Sequence, residues 1–294
     1  MTIEKLLSHP DKVFWPEEGY TKLDLARFYE AVFGKLKPYV ADRMLSLERC
    51  PDGMSGQCFY QKQAPKGLPE GTPTKLIQHE KKEVNYVLGG ALETEIALVN
   101  FGCIPVHVWG SRASRPHQPD WMVFDLDPGS GGFADAAKAG LLVKNALDEL
   151  KLVSFPKTSG SRGLHIFVPL RVGPDFDEVR SFASGLCARL AAEHRDTLTV
   201  EQRIEARKDR VYLDSFRNGF GATVVAPYSV RRRPKAPFSM PLRWSEVKAG
   251  LDPAKFNLGN YKKKLVGEDP WEGFFESRQS LKAEPVGRRK RLPH

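Results

Sequence analysis

Trp121-Met122-Val123-Phe124-Asp125-Leu126-Asp127-Pro128-Gly129 is the stretch from which the fold of this chain is read. Four apolar residues lead into two aspartates, and Pro128-Gly129 ends the run, so the segment reads as a buried strand with acids at its C-terminal end. With a side-chain period of two, Asp125 and Asp127 leave the same face, roughly 6.6 Å apart along the strand. Two like charges there repel unless a cation lies between them. Hard oxygen donors suit Mg2+ or Mn2+ rather than zinc. The C-terminal ends of strands are also where ligands enter open α/β sheets. A solvated D-x-D-P-G turn is the competing reading.

Elements of both periods flank this strand. C-terminal to it, Phe133 to Leu150 is amphipathic at helical spacing, and Leu152 to Phe155 reads as a strand. Thr158 to Gly163 forms a small-residue loop, His165 to Leu170 a strand, Asp175 to His194 a helix and Val211 to Asp214 a short strand. From Pro234 onward the chain is rich in Pro, Trp and cations and only weakly patterned. On the N-terminal side, Pro116 to Pro119 is a loop, Val106-His107-Val108-Trp109 a strand and Ala91 to Phe101 a helix. Gln63 to Pro73, with three prolines and two glycines, is a surface loop, Pro51-Asp52-Gly53 a turn and Met44 to Arg49 a strand. Thr21-Lys22-Leu23-Asp24 has the form of a capping box with Asp in place of Glu. Leu25, Phe28, Tyr29, Val32, Phe33 and Leu36 then recur at helical spacing until Pro38 stops the pattern. No internal repeat or long linker appears. A single α/β (α+β) domain over residues 1–280, followed by a basic tail over 281–294, is the expected organisation.

Composition bounds the function. The 294 residues are 41% hydrophobic, enough for a substantial core. No apolar run approaches the ~20 residues of a membrane span, and Met1 to Asp11 lacks the apolar stretch of a signal peptide. Cys50, Cys58, Cys103 and Cys187 show no C-x-x-C pair and no disulfide-dense spacing, which argues for a reducing cytoplasm and against structural zinc. The 45 Lys and Arg against 36 Asp and Glu leave a net charge of +9, which favours polyanions.

Three further clusters carry chemistry. Thr158-Ser159-Gly160-Ser161-Arg162-Gly163-Leu164-His165 offers hydroxyls, close-approaching backbone amides, a cation and a titratable ring, the parts of an anion loop. It lacks the lysine and following helix of a Walker A loop. A hairpin turn with His165 on the surface is the competing reading, and a hydrogen-bonded core histidine competes for His107. Val211 to Asn218 sets a third acid, Asp214, at a strand end near Arg217. Arg231-Arg232-Arg233-Pro234-Lys235 concentrates four cations within five residues. It reads either as a solvated face or, for Arg231, as an inward phosphate contact. Phe59-Tyr60 beside Lys62 suits base stacking, with core packing as the rival. Together these give three carboxylates on sheet edges, an anion loop and an Arg cluster, the equipment for metal-dependent chemistry on a polyphosphate.

The segments Asp125-Leu126-Asp127-Pro128-Gly129, Lys157 to His165 and Leu213-Asp214-Ser215-Phe216-Arg217-Asn218 resemble the three motifs of the archaeo-eukaryotic primase superfamily. Their wording is closest to the polymerase domain of bacterial ligase D, and the similarity runs from about Asp11 to Trp244. The resemblance implies a primase-type domain of mixed β-sheets flanked by helices. It implies a template-dependent nucleotidyltransferase that adds nucleotides, preferably ribonucleotides, at DNA ends or gaps in non-homologous end joining. Asp125, Asp127 and Asp214 would hold two Mn2+ or Mg2+ ions. Ser159, His165 and Arg231 would bind the triphosphate of an NTP or dNTP, supported by Arg162, Arg207 and Arg217, with His107 near the nucleotide. Lys12 and Lys22 would grip the 5′-phosphate of a DNA end. Phe59 and Tyr60 would lie beside the template, where the family more often has Phe-Phe. The loop from about Glu70 to Asn85, with Lys75, Lys81 and Lys82, would meet the opposite DNA end. Ku and a ligase module are the implied partners, and a cytoplasmic, nucleoid-associated location follows. No K-x-D-G adenylation motif occurs, so ligase chemistry is not expected of these residues. A replicative RNA primase and a non-catalytic end-bridging module are the alternatives.

Overall fold

Thr21 accepts a hydrogen bond from the Asp24 amide while the Asp24 carboxylate accepts from the Thr21 amide, and this reciprocal cap starts helix α1 (Lys22–Val40). The computed structural model describes residues 2–281, so all but the first residue of the expected basic tail lies outside the described residues. Pro38 does not stop α1: it sits in the last turn, and the helix runs two residues beyond it. Near a C-terminus a proline removes only one hydrogen bond, and Leu36, Tyr39 and Val40 stay buried around it. The other helices are α2 (Leu92–Asn100), α3 (Phe133–Glu149), α4 (Phe176–Glu193) and the single turn α5 (Tyr261–Lys264). Asp175 and Glu178 cap α4 in the same reciprocal manner.

In chain order the strands are β1 (Val13–Trp15), β2 (Tyr20–Thr21), β3 (Leu45–Arg49), β4 (Phe59–Gln61), β5 (Thr74–Gln78), β6 (Glu83–Val87) and β7 (Cys103–Trp109). They continue with β8 (Trp121–Asp127), β9 (Phe155–Thr158), β10 (Leu164–Pro169), β11 (Leu198–Thr199), β12 (Val211–Asp214) and β13 (Thr223–Val225). One five-stranded sheet has the order β11-β12-β8-β10-β9, parallel only between β11 and β12. A four-stranded antiparallel sheet has the order β13-β7-β3-β4. β1–β2 and β5–β6 form two separate ribbons. The architecture is therefore mixed α/β, with two larger sheets and flanking helices, as the sequence implied.

Four expectations change. The acids do not stand on sheet edges, because β8 is the central strand of its sheet and β12 is its neighbour. The strand expected at Leu152 to Phe155 begins only at Phe155, since the Leu152 amide still caps α3 through the Leu147 carbonyl and Val153 is tied to Gln279. The Glu70 to Asn85 region is not a plain loop but carries the paired strands β5 and β6, with Ile77, Val84 and Tyr86 buried. Cys50 and Cys58 are joined by a disulfide that bridges the end of β3 to the start of β4, which removes the cysteine argument for a reducing compartment. Cys103 and Cys187 are buried free thiols.

One continuous core lies under both larger sheets. The weakly patterned C-terminal segment joins it through aromatic contacts rather than periodic structure. Trp271 and Phe274 stack at 5.0 Å, and Phe155 and Phe167 approach them at 5.0 and 5.1 Å. This packing holds the β9–β10 edge from behind. Among the described residues no helix is long and apolar enough to cross a membrane.

Candidate active site

A single row of facing residues crosses four strands of the five-stranded sheet. Lys157 on β9 pairs with His165 on β10, His165 with Asp125 on β8, and Asp125 with Asp214 on β12. His165 Nε2 lies 3.2 Å from Asp125 Oδ1, and Arg217 Nε lies 3.1 Å from Asp125 Oδ2 and 3.3 Å from Asp214 Oδ2. The Phe216 amide donates to Asp214 Oδ1 at 2.7 Å. Asp127, two residues further along β8, is exposed and meets Arg207 Nη1 at 3.1 Å. Arg207 in turn lies 4.1 Å from the Tyr212 ring and donates to the Glu201 and Gln202 carbonyls.

The two inner acids have opposite electrostatics. Burial acts to raise the Asp125 carboxyl, but His165 and Arg217 outweigh it and hold it well below the usual carboxylate range. Asp214 is raised above its ordinary value: burial dominates, Arg217 opposes it, and the Asp125 charge adds to the rise. Asp125 is thus a firm carboxylate, and Asp214 is the acid that most needs a cation. Burial, with Lys157 adding to it, brings His165 down to about 4 against the pull of Asp125, so at neutral pH the ring is an uncharged donor.

Beside this row lies a cleft of about 340 Å³, lined from the five-stranded sheet by Asp125, Asp127 and His165 and from the four-stranded sheet by His107, Tyr60 and Val225. The Ser159 to Gly163 loop and Arg231 close it. Ser159 Oγ accepts from the Ser161 and Gly163 amides at 3.2 and 3.1 Å, which leaves its own proton free for an anion. Two glycines set the loop's shape. Gly160 has φ +72°, and a Cβ there would stand 2.4 Å from Arg231 Cγ; one on Gly163 would stand 2.5 Å from the Leu126 carbonyl oxygen. The backbone therefore lies directly on the arginine stem and on β8.

Arg231 separates from its neighbours. Arg232 pairs with Glu48 at 2.7 Å, whereas the Arg231 guanidinium makes no hydrogen bond or ion pair among the described residues and lines the cleft. Arg233 lines it too, and exposed Arg162 stands on its rim. His107 lines the cleft, and its buried Nε2, 3.9 Å from Glu48 Oε2, has no hydrogen-bond partner among the described residues. Tyr60 donates to Glu48 Oε2 at 3.3 Å, with its ring 6.1 Å from His107.

The donor set suits a divalent cation. Asp125 and Asp214 present only hard oxygens, and one guanidinium already bridges them. Among the described residues no group of three or more acids, histidines or cysteines forms a ready cage, and Arg217 and Arg207 pair with the three carboxylates. A divalent ion fits the Asp125–Asp214 pair in place of the Arg217 charge.

Of the remaining sequence-derived positions, Tyr60 lines the cleft and the others lie outside it. Lys12 is paired with Asp52 at 2.7 Å. Lys22 is buried, its ammonium donating to the Ser8 carbonyl at 2.7 Å and to both oxygens of Asn100 at 3.3 Å. The two lysines are neighbours through the Lys22 amide, which donates to the Lys12 carbonyl at 2.8 Å. Phe59 and Tyr60 point to opposite faces of β4: Tyr60 lines the cleft and Phe59 lies under Arg49, 5.3 Å away. Lys75 is on β5, and Lys81 and Lys82 form its turn into β6. Sequence reasoning missed Lys157 and Glu48. The signal for both was strand alternation, which sets Lys157 opposite His165 and Glu48 opposite Tyr60, but this needs the register.

Residues 21–271 match the family model described as LigD, primase-polymerase domain. The multifunctional non-homologous end joining protein LigD of Pseudomonas aeruginosa is 31% identical over 285 residues, covering 94% of this chain and 34% of that protein. The bifunctional LigD of Bacillus subtilis is 28% identical over 253 residues, covering 84% of this chain and 40% of that protein. The chain thus spans between about a third and two-fifths of these relatives' lengths. The polymerase domain of Mycobacterium tuberculosis ligase D, solved in complex with DNA, superposes with a TM-score of 0.85 at 24% identity, covering 92% of this chain and 97% of that one. That likeness bears on the fold.

Proposed function

The chain belongs to the LigD primase-polymerase domain family, and from that premise we propose that it is a nucleotidyltransferase extending DNA ends or gaps on a template, with ribonucleotides preferred, during non-homologous end joining. Residues 1–280 act as one catalytic unit in this reading. The supporting observation is the meeting, in one cleft, of a firm carboxylate, Asp125, with two uncommitted anion donors, the Ser159 hydroxyl and the Arg231 guanidinium, and with the His107 ring beside them. Such a site holds a triphosphate against an acid pair.

Each residue has a role. Asp125, Asp127 and Asp214 would hold two Mn2+ or Mg2+ ions, which would neutralise phosphate charge and sharpen the primer 3′-hydroxyl as a nucleophile. Ser159 donates its free proton to a phosphate oxygen, His165 shares its Nε2–H between Asp125 and a second one, and Arg231 donates a bidentate pair. Arg162 and Arg217 add charge at the rim and beside the acids, and Arg207 steadies Asp127. Tyr60, fixed by Glu48, presents a ring to the base or template, and Phe59 offers a second ring on the far face of β4. Lys12 and Lys22 receive a 5′-phosphate, and the β5–β6 ribbon faces the opposite end, with Ku and a ligase module as partners in a bacterial cytoplasm. One observation favours the replicative primase instead: the Lys22 ammonium is already held by Ser8 and Asn100.

Primer extension on gapped DNA, with and without a 5′-phosphate, supplied with Mn2+ or Mg2+ and NTPs or dNTPs, tests the reading. Addition stimulated by the 5′-phosphate supports end joining. Strand initiation without a primer supports the primase. No addition at all under any of these conditions supports the bridging module.

A further inference from the structure

Lys157 is fully buried in the middle of the motif and does no work in the account above. Its Nζ lies 2.6 Å from Ser239 Oγ and 2.9 Å from His165 Nδ1. The Ser239 hydroxyl spends its one proton on the Thr158 carbonyl at 2.5 Å, so toward the lysine it can only accept. On the other side of the imidazole, His165 Nε2 faces the Asp125 carboxylate at 3.2 Å, which also only accepts. With a carboxylate acceptor on one side of the ring and an amine donor on the other, the imidazole carries its proton on Nε2. Nδ1 is then bare and takes its hydrogen bond from Lys157, whose amine has protons to give whether or not it is charged. The direction of donation runs one way along the row, from Lys157 to His165 to Asp125.

We infer that Lys157 is a positioning residue that fixes His165 as its Nε2–H tautomer, so that the ring always presents a donor toward Asp125 and the cleft. Without it, Nδ1 is left without a partner and only the Asp125 carboxylate holds the proton on Nε2, so a ring that flips off that carboxylate, or moves its proton to Nδ1, faces phosphate oxygens with a lone pair. The β9–β10 pairing and the 5.5 Å approach of the ammonium to the Phe167 ring hold the lysine in place. The tautomer stands independently of the proposed function. Only its consequence, donation to a triphosphate, rests on that reading.

Ring-nitrogen NMR on the uniformly 15N-labelled chain in Mg2+ buffer reads the tautomer directly, with His165 assigned by the signals lost in His165→Gln. The wild-type ring is expected to show a protonated Nε2 and a bare Nδ1. In Lys157→Met, which keeps the length and removes the donor, the His165 signals are expected to shift toward the other tautomer or an average of the two. ATP affinity is expected to fall by roughly tenfold while affinity for gapped DNA holds. Ser239→Ala, which frees the amine but keeps its donation, is expected to leave the tautomer unchanged. A wild-type ring protonated on Nδ1 overturns the inference, and that spectrum decides even if Lys157→Met does not fold. A folded Lys157→Met with unchanged His165 signals overturns it as well. A shifted tautomer in a protein whose wild type binds no nucleotide supports the Lys157 role and overturns the reading of the cleft instead.

Discussion

Arg217 is the residue on which the acid pair's state turns. Its guanidinium bridges Asp125 and Asp214, supplying the charge that two neighbouring carboxylates need. Arg217→Ala is therefore expected to tighten divalent-ion binding by roughly tenfold, read by Mn2+ titration calorimetry, because the ion no longer competes with a resident cation. Unchanged Mn2+ affinity would remove these acids from the metal site. Asp125→Ala is expected to abolish nucleotide addition and spare gapped-DNA binding, since it deletes a carboxylate and no phosphate-binding cation. A different buried acid governs stability. Glu95 on α2 has an Oε1 with no hydrogen-bond partner among the described residues, and burial raises its carboxyl from 4.5 to about 8. The folded state therefore holds this proton between pH 4.5 and about 8 while the unfolded state has lost it, so stability falls as pH rises through that window and levels off above it. Urea unfolding at pH 5, 7 and 9 is expected to show Glu95→Gln gaining on wild type as pH rises, by up to a few kcal/mol. A pH-independent difference would mean that Glu95 finds a partner.

Elements with one strong period were legible in the sequence, and elements that depend on pairing were not. The strand Trp121–Asp127 and the caps of α1 and α4 follow from local chemistry alone. The β5–β6 ribbon was hidden because its burial comes from packing against Met44 and Trp109, residues distant in sequence. The Cys50–Cys58 link was hidden because the turn that joins β3 to β4 brings the two together, and spacing alone carries no such signal. The acid triad was readable as types at strand ends, whereas Lys157 and Glu48 become site residues only once neighbouring strands set their register. The disulfide gives this scale its own test. Closing so short a loop restricts the unfolded chain by about 2–3 kcal/mol. Thermal unfolding of the oxidised chain is expected to occur at higher temperature than in reductant, and Cys58→Ser should behave like the reduced form in both. Identical transitions would show that β3 and β4 hold together without the bond.

The whole molecule carries a net charge of +9, and the question at this scale is which cations meet DNA and which serve the cleft. The two sheets divide the labour: the five-stranded sheet supplies the acids and the anion loop, while the four-stranded sheet brings His107 and Tyr60 across from them. Arg231 stands at their junction, with Gly160 on its stem and its guanidinium unpaired, whereas Arg232 turns back to Glu48 and Arg233 stays exposed. The run of arginines is thus not one solvated face. Exposed cations bind a nucleic-acid backbone by releasing counterions, so each one lost flattens the dependence of affinity on salt. An arginine committed to a triphosphate leaves that slope untouched. Arg231→Ala is accordingly expected to weaken ATP binding by ten- to a hundredfold, with gapped-DNA affinity and its salt slope as in wild type. Arg233→Ala should lower DNA affinity and reduce the slope by about one. Fluorescence anisotropy on gapped DNA from 50 to 200 mM salt, roughly the range over which counterion release is read, measures both variants against the same titration. A flattened slope with intact ATP affinity for Arg231→Ala would return that residue to the DNA-binding surface and take it out of the proposed triphosphate site.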